Sequence, residues 1–145
     1  MKPVCLVLGA GAGIGGTVAA KFASEGYHSY LCRRSDQEGL DKLIKGIEDT
    51  GGSASGSLLN AIEEDVLEEI ITKVESDVGP IEVLVYNLGA QTGMKLLSQT
   101  THKEFEWGWR MASFGLFRVA KILCPIMAER GKGTFLVTSA TAAMR

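Results

Sequence analysis

The feature that most restricts the possible folds is a glycine-rich stretch, VLGAGAGIGG, at residues 7–16. Half of its residues are glycine, although each glycine costs backbone entropy when a chain folds. The run before it, Val4 to Leu8, is continuously apolar, as expected of a strand that is buried on both faces. After it, Ile14, Val18 and Phe22 recur at a spacing that places them on one helix face. The pattern therefore predicts a strand, a tight glycine turn and a helix.

Strand-like and helix-like segments alternate along the rest of the chain. Further strands are predicted at 27–32, 54–59, 81–86 and 134–138, and further helices at 37–49, 63–78 and 103–130. Alternation of this kind predicts a parallel sheet with helices on both faces, which is a doubly wound, Rossmann-like α/β fold with about five strands. We expect a single domain over residues 1–145.

The end of the chain does not complete this pattern. No helix-like or strand-like segment follows the strand at 134–138, so nothing is predicted to cover its face or pair with its edge. A long apolar edge is an aggregation liability that folded proteins usually manage. We therefore expect the chain to be the front part of a longer domain, truncated before the last strands.

Composition and charge narrow the class of protein. The chain is 46% hydrophobic with a formal net charge of −2, which is ordinary for a soluble globular domain and gives no basic surface for nucleic acid. We find no apolar run near the ~20 residues of a membrane span, so no membrane partner and a cytoplasmic location are expected. The three cysteines are expected to be reduced and mostly buried. The two histidines have no cluster of ligands around them, so no metal site is predicted.

The glycine stretch also has a chemical interpretation. A helix N-terminus carries unpaired N–H groups and the positive end of a dipole, and both attract phosphate. Glycine lets the backbone approach the anion. The pattern G-x-G-x-x-G starting at Gly11 fits the general dinucleotide fingerprint, and G-x-x-x-G-x-G starting at Gly9 fits a variant placed directly after the strand. A flexible turn without a ligand is the alternative.

Two arginines follow the second predicted strand. An NAD-preferring site usually has an acidic residue there for the ribose hydroxyls, and Asp36 comes slightly late for that role. The guanidinium groups of Arg33 and Arg34 match a 2′-phosphate well. This favours NADP(H) over NAD(H), the alternative being a solvated arginine pair.

Three segments, in order, resemble the short-chain dehydrogenase/reductase family. The loop GAGAGIG at 9–15 is similar to its T-G-x-x-x-G-I-G motif, although Leu8 replaces the threonine. The segment GPIEVLVYNLG at 79–89 resembles G-x-I-D-x-L-V-N-N-A-G, and the residues from 105 to 139 resemble the long helix and fifth strand that lead to the active-site serine. The resemblance implies a doubly wound NAD(P)-binding domain of about 250 residues that moves hydride between nicotinamide and a carbonyl or alcohol.

The resemblance also implies which residues contact the cofactor. It implies that the pyrophosphate is held by the glycine loop: Gly9, Gly11, Gly13, Ile14 and Gly15. It implies that Arg33 and Arg34 contact the adenosine phosphate and that Asn60 contacts the adenine. Beyond the fourth strand, the cofactor would be lined by Asn87, Gly89 and Ala90. Asn60 replaces an aspartate of the family, and its side-chain oxygen can still accept a hydrogen bond.

The catalytic group that the resemblance implies is incomplete in this sequence. The family typically uses Asn, Ser, Tyr and Lys, with tyrosine as the acid/base and serine positioning the substrate oxygen. The asparagine position is Ala112, and no Tyr-x-x-x-Lys occurs in the 145 residues. Tyr86 belongs to a different strand and has no lysine four residues later, so we do not expect it to replace the catalytic tyrosine.

The serine position is ambiguous. A gapless alignment from Gly133 places it on Ala140, with Ser139 one residue before and Thr141 one residue after. Neighbours on an extended strand face opposite ways, so a slip of one residue decides which hydroxyl points into the site. Ser139, Thr141 or neither remain open, and a strand-end hydroxyl bonded to nearby backbone is the alternative for Ser139.

Two main functions follow from these observations. The first is an NADP(H)-dependent short-chain oxidoreductase acting on a small-molecule carbonyl or alcohol that the sequence does not identify. The second is a catalytically inactive short form or degenerate homologue that binds a nucleotide or a partner, and an unrelated parallel α/β binder is a third. The long helix carries large aromatic side chains, which favour a homo-oligomer in the full-length form: Phe105, Trp107, Trp109, Phe114 and Phe117. The same side chains would also suit the core or the wall of a substrate pocket.

Overall fold

The computed structural model describes residues 1–89, 95–140 and 144. Within them, a parallel five-stranded sheet confirms the predicted doubly wound, Rossmann-like α/β class. Its strands are β1 (Val4–Leu8), β2 (His28–Arg33), β3 (Ser53–Leu58), β4 (Ile81–Tyr86) and β5 (Thr134–Val137). They lie side by side in the order β3-β2-β1-β4-β5, so the first strand of the chain is the central one.

The helices connect the strands as the alternation predicts. They are α1 (Ile14–Ser24), α2 (Gln37–Asp49), α3 (Val66–Asp77), α4 (His102–Trp109) and α5 (Gly115–Arg130). A π-helical segment, Arg110–Phe114, joins α4 to α5, where the sequence analysis expected one continuous helix. The observed bounds of β2, β3 and α3 differ from the predicted ones by up to three residues, which is usual for element ends.

Two apolar clusters lie on opposite faces of the sheet. Because successive side chains of a strand point to opposite faces, β1 contributes Cys5 and Val7 to the cluster under α1 and α2, and Leu6 and Leu8 to the cluster under α3 and α5. The buried face of α3 consists of its apolar residues at helical spacing: Leu67, Ile70, Ile71 and Val74. The sheet is therefore covered on both sides by the helices that the sequence predicts.

Small residues bring α1 close to the sheet. Its buried positions are Gly15, Gly16, Ala19 and Ala23, rather than the larger residues of its apolar pattern. At the first helical position, Ile14 is 62% exposed. The start of α1 is therefore open to solvent on the side where a ligand of the glycine loop would lie.

The helix from His102 to Arg130 corrects one expectation about apolar runs. By length and composition alone it could cross a membrane, with a mean hydropathy of 1.5 over an 18-residue window. In this fold it buries Val119, Leu123 and Met127 in the core beside α3. Only 28% of that window is buried, so packing against the sheet accounts for part of its hydropathy, and the rest lies on the exposed side of the helix.

Candidate functional site

The candidate site lies at the carboxyl ends of the central strands. The chain leaves β1 to form α1 on one face, whereas the helices next to β4, α3 and α5, pack on the other face. Between β1 and β4 the strand order therefore reverses direction. In open α/β sheets, ligands bind in the crevice at such a switch point. The glycine loop, the residues after β4 and the end of β5 all meet there.

Two glycines of the loop are required by close packing. Gly9 has a φ of +94°, and a Cβ atom there would overlap the backbone carbonyl of Asn87. A Cβ atom on Gly15 would overlap the backbone carbonyl of Gly9, because α1 starts directly against the end of β1. Side chains at these positions would force the strand end, the loop and the helix apart.

Two other glycines face open space instead. No described atom lies within 4 Å of the Cβ positions of Gly11 and Gly13. Gly13 precedes α1 with φ −87° and ψ −124°, a combination outside the main regions for residues with side chains. The backbone at Gly11 and Gly13 therefore has no neighbouring described side chain that would keep an anion away from it.

The first amide groups of α1 are free to bind an anion. The amides of Gly16 and Thr17 donate to the carbonyls of Gly11 and Gly13, and no side chain caps the helix. Across residues 1–89, 95–140 and 144, the N–H groups of residues 13–15 have no acceptor. Unpaired amides at a helix N-terminus form an anion site, so the loop fits the pyrophosphate of a dinucleotide.

Asn87 joins the ends of three strands. Its side-chain nitrogen donates to the Gly9 carbonyl over 2.9 Å, and its backbone amide donates to the Leu8 carbonyl over 2.9 Å. The Thr138 hydroxyl donates to the Asn87 side-chain oxygen over 2.8 Å. Asn87 therefore fixes the glycine loop against β4 and β5. The sequence analysis did not single out Thr138, because its part in the site depends on a contact 51 residues away.

The two arginines after β2 have different partners. Arg33 lies 3.5 Å from the carboxylate of Asp36, which also caps α2 by accepting a hydrogen bond from the Gly39 amide over 2.9 Å. Asp36 is thus engaged in capping α2 and pairing with Arg33. The guanidinium carbon of Arg34 lies 5.8 Å from the centroid of the Trp107 ring on α4. From the sequence, Trp107 is expected in the core, a subunit contact or a substrate wall, and no pattern predicts Arg34 as its partner.

Asn60 lies in the loop between β3 and α3, which α5 holds in place. Its side-chain oxygen is 3.5 Å from the Ile62 amide. Arg118 of α5 donates to the Ala61 carbonyl over 3.1 Å and to the Glu68 carboxylate over 2.8 Å. The hydrogen bond from Arg118 holds the pKa of Glu68 below its usual value. The loop that carries Asn60 is therefore fixed by a charged clamp that the sequence did not reveal.

The π-helical segment carries Ala112, the position of the family's asparagine. The Gly115 amide donates to the Arg110 carbonyl, five residues back, instead of to the Met111 carbonyl. The buried Tyr86 hydroxyl donates to that Met111 carbonyl. Burial raises the pKa of Tyr86 to about 12. The Tyr86 hydroxyl is therefore buried and hydrogen-bonded in the core.

The remaining predicted residues are divided between described and undescribed parts of the chain. Ser139 is exposed just beyond β5, and no described atom lies within 4 Å of the Cβ position of Gly89 after β4. Ala90 and Thr141 lie outside the described residues. The structure thus brings together the glycine loop, Asn87 and the end of β5, whereas the choice between Ser139 and Thr141 stays a prediction.

Known proteins share both the sequence pattern and the fold. The 3-oxoacyl-(acyl-carrier-protein) reductase FabG of Thermotoga maritima is 31% identical over 136 residues, covering 94% of this chain and 54% of that protein. The crystal structure of an actinorhodin polyketide ketoreductase with NADPH has a TM-score of 0.90 at 28% identity, covering 99% of this chain and 55% of that one. A short-chain dehydrogenase from Rhodopseudomonas palustris has a TM-score of 0.87 at 32% identity, covering 99% and 66%.

These similarities extend over nearly the whole chain but not over the whole of the relatives. The chain spans about half the length of the curated relatives it matches, 54% and 53% for two of them. The family model for short chain dehydrogenases matches residues 3–145. The chain therefore belongs to the short chain dehydrogenase family.

Proposed function

We propose that this chain forms the NADP(H)-binding part of an oxidoreductase that transfers hydride between nicotinamide and a small-molecule carbonyl or alcohol. The observation that carries the proposal is the glycine loop at the switch point, where the amides of residues 13–15 have no acceptor in the described part of the chain. The family supports the hydride chemistry, and the arginines after β2 support the choice of NADP(H). The relative with NADPH is consistent with that choice.

In this function the chain binds and orients the cofactor. The amides at the start of α1 and the bare backbone of Gly11 and Gly13 hold the pyrophosphate. Arg34 binds the 2′-phosphate and Asn60 contacts the adenine. Asn87 keeps the loop at a fixed distance from β4 through its bond to Gly9. Bound NADPH supplies the hydride.

The proposed pyrophosphate position can be tested with one side chain. Ile14 is 62% exposed at the first position of α1, so its replacement leaves the core intact. Ile14→Asp places a negative charge where the helix dipole favours it, so the melting temperature should hold or rise. The same charge repels a pyrophosphate, and at ~4–6 Å the repulsion is worth a few kcal/mol, so NADPH affinity should fall about tenfold or more.

The matched control is Ile14→Asn, which has the same shape without the charge. Calorimetric titration of the full chain with NADPH should show a much smaller loss for Ile14→Asn than for Ile14→Asp. Equal affinity in wild type and Ile14→Asp would contradict a pyrophosphate at α1. Consumption of NADPH with a panel of carbonyl compounds then tests hydride transfer separately from binding.

A nucleotide- or partner-binding module without catalysis is the second candidate. It is favoured by Ala112, which stands on the π-helical segment where the family has its asparagine. NADPH binding without turnover of any carbonyl compound by the full-length protein would favour this candidate over the first.

We also propose a cytoplasmic homo-oligomer without a membrane or nucleic-acid partner. The buried cysteines Cys5 and Cys32 are free thiols, which suits a reducing compartment. Large side chains of the long helix are exposed on its outer side, with Phe105 at 71% and Phe117 at 60%. An apolar helix face of this kind is typical of a subunit contact.

A further inference from the structure

The contact between Arg34 and Trp107 links two elements on either side of the proposed adenosine site. Arg34 is exposed directly after β2, and Trp107 is half-buried on α4, where it packs against the core. The guanidinium carbon lies 5.8 Å from the ring centroid, within the range of a cation–π interaction. The position of Arg34 therefore depends on a residue 73 positions later in the chain.

The aromatic partner leaves Arg34 chemically available. A carboxylate would pair with the guanidinium and offset its charge, as Asp36 does for Arg33 at 3.5 Å. The face of an indole ring attracts the cation without accepting its N–H groups in conventional hydrogen bonds. In the described part of the chain, Arg34 forms no ion pair with a carboxylate. Its N–H donors and its full charge remain free for a phosphate.

We propose that Trp107 is a positioning residue that selects cofactors with a 2′-phosphate by holding the Arg34 guanidinium. This inference rests on the proposed NADP(H)-binding function. An arginine that is held in place loses less side-chain entropy when it binds an anion, so the ring strengthens binding of the 2′-phosphate. Trp107 does not need to touch the cofactor for this effect.

The same helix contains a matched control residue. Trp109 is 49% exposed and stacks on Phe114, with 5.2 Å between ring centroids. It has the same side chain on the same helix and does not contact Arg34. Substitution of Trp109 therefore reports any general effect of removing an indole ring from α4.

The experiment compares two small ligands that differ only in the 2′-phosphate, 2′,5′-ADP and 5′-AMP, by calorimetric titration of the full chain. Trp107→Leu should weaken the binding of 2′,5′-ADP roughly two- to thirtyfold and the binding of 5′-AMP by less than about twofold. The reason is that the cation–π contact orients only the arginine that binds the 2′-phosphate. Trp109→Leu should change neither affinity. Trp107→Phe should retain part of the selectivity, because a phenyl ring still attracts the guanidinium.

The results for the different variants and ligands distinguish failure of the Trp107 inference from failure of the proposed NADP(H) preference. Equal weakening of both ligands by Trp107→Leu would overturn the inference, since it would indicate a general effect on the site. So would an unchanged preference for 2′,5′-ADP. When Arg34→Gln is already present, adding Trp107→Phe should cause no further loss of affinity for 2′,5′-ADP. A further loss that adds to that of Arg34→Gln would also overturn the inference. A wild-type chain that does not prefer 2′,5′-ADP would instead contradict the proposed NADP(H) preference.

Discussion

Asn87 shows how single residues build the candidate site from backbone groups. Its side chain uses both of its ends, donating to the Gly9 carbonyl and accepting from the Thr138 hydroxyl. Gly9 in turn has to lack a side chain, because the Asn87 carbonyl occupies the space of its Cβ atom. The loop geometry therefore depends on a pair of residues that are far apart in sequence.

This pair gives a prediction about stability. Asn87→Ala removes both side-chain hydrogen bonds and should lower the free energy of unfolding by about 1–3 kcal/mol. Thr138→Val keeps the shape of the side chain and leaves the bond between Asn87 and Gly9 in place. It removes the hydroxyl's bond to Asn87 and its longer contact of 3.3 Å with the Tyr86 carbonyl, so it should cost about 0.5–1.5 kcal/mol. Urea unfolding measures both changes. Equal losses in the two variants would contradict the contribution of the bond to Gly9.

The buried Tyr86 hydroxyl gives a prediction about pH. Burial raises its pKa from 10.0 to about 12. Because the folded state holds this proton more tightly than the unfolded state, its contribution to stability is complete below pH 10.0 and is lost as the pH rises through about 12. Tyr86→Phe should flatten the fall in unfolding free energy over that range, as measured by urea unfolding at several pH values. An unchanged slope would exclude Tyr86 as its source.

At the scale of elements, the π-helical segment between α4 and α5 depends on contacts among four residues. Gly115 donates to Arg110 rather than to Met111, and the Tyr86 hydroxyl donates to the Met111 carbonyl. The Cβ position of Gly115 overlaps that hydroxyl, so only glycine leaves room for it. Single-turn π-helical bulges occur frequently at functional sites, and this one carries Ala112.

Two glycine substitutions test this fit. Gly115→Ala should destabilise the protein by about 1–3 kcal/mol, since overpacking a core forces neighbours to move. Gly46→Ala in the exposed part of α2 meets no atom within 4 Å and should stabilise the protein by about 0.4–1 kcal/mol. Thermal unfolding followed by circular dichroism measures both. A stabilising Gly115→Ala would show that the Tyr86 hydroxyl does not need this space.

The elements differ in how far the sequence determines them. The strand after Pro3 and the helix faces of α3 follow from apolar periodicity, which depends only on nearby residues. The glycine loop also follows from the sequence, because its motif and its place after β1 have a local physical cause. The π-helical segment, the Arg118 clamp and the Arg34–Trp107 contact depend on residues dozens of positions apart. No local pattern identifies such contacts, so the structure was needed to find them.

At the scale of the whole molecule, the exposed side of the long helix predicts association. Trp109, Phe114 and Phe117 form a stacked row, with ring centroids 5.2 and 6.5 Å apart along it. Rows of this size on a surface are typical of protein contacts. The association proposed for the full-length form therefore has a defined surface on α4 and α5.

A charge in that row should separate the subunits. Phe117→Glu is expected to shift the full chain toward the monomer in sedimentation velocity, because an unpaired carboxylate in an apolar contact is costly to bury. Gly46→Glu adds the same charge on α2, on the other side of the sheet, and should leave the sedimentation coefficient unchanged. A monomeric wild type, or an unchanged distribution for Phe117→Glu, would exclude this surface as the contact.

The central place of β1 has a consequence for synthesis on the ribosome. β1 can pair with β2 as soon as residues 28–33 are available, but its other edge stays open until β4 has been made. At about 5–20 residues per second, the interval between the ends of β3 and β4 lasts roughly one to six seconds. During that time, the open edge of β1 lacks its β4 partners, and apolar side chains such as Leu6 and Leu8 lack those of α5 until residues 115–130 have also been made. The nascent protein therefore exposes this edge and face to misassociation until the fourth strand and then α5 emerge, an interval in which chaperones protect it.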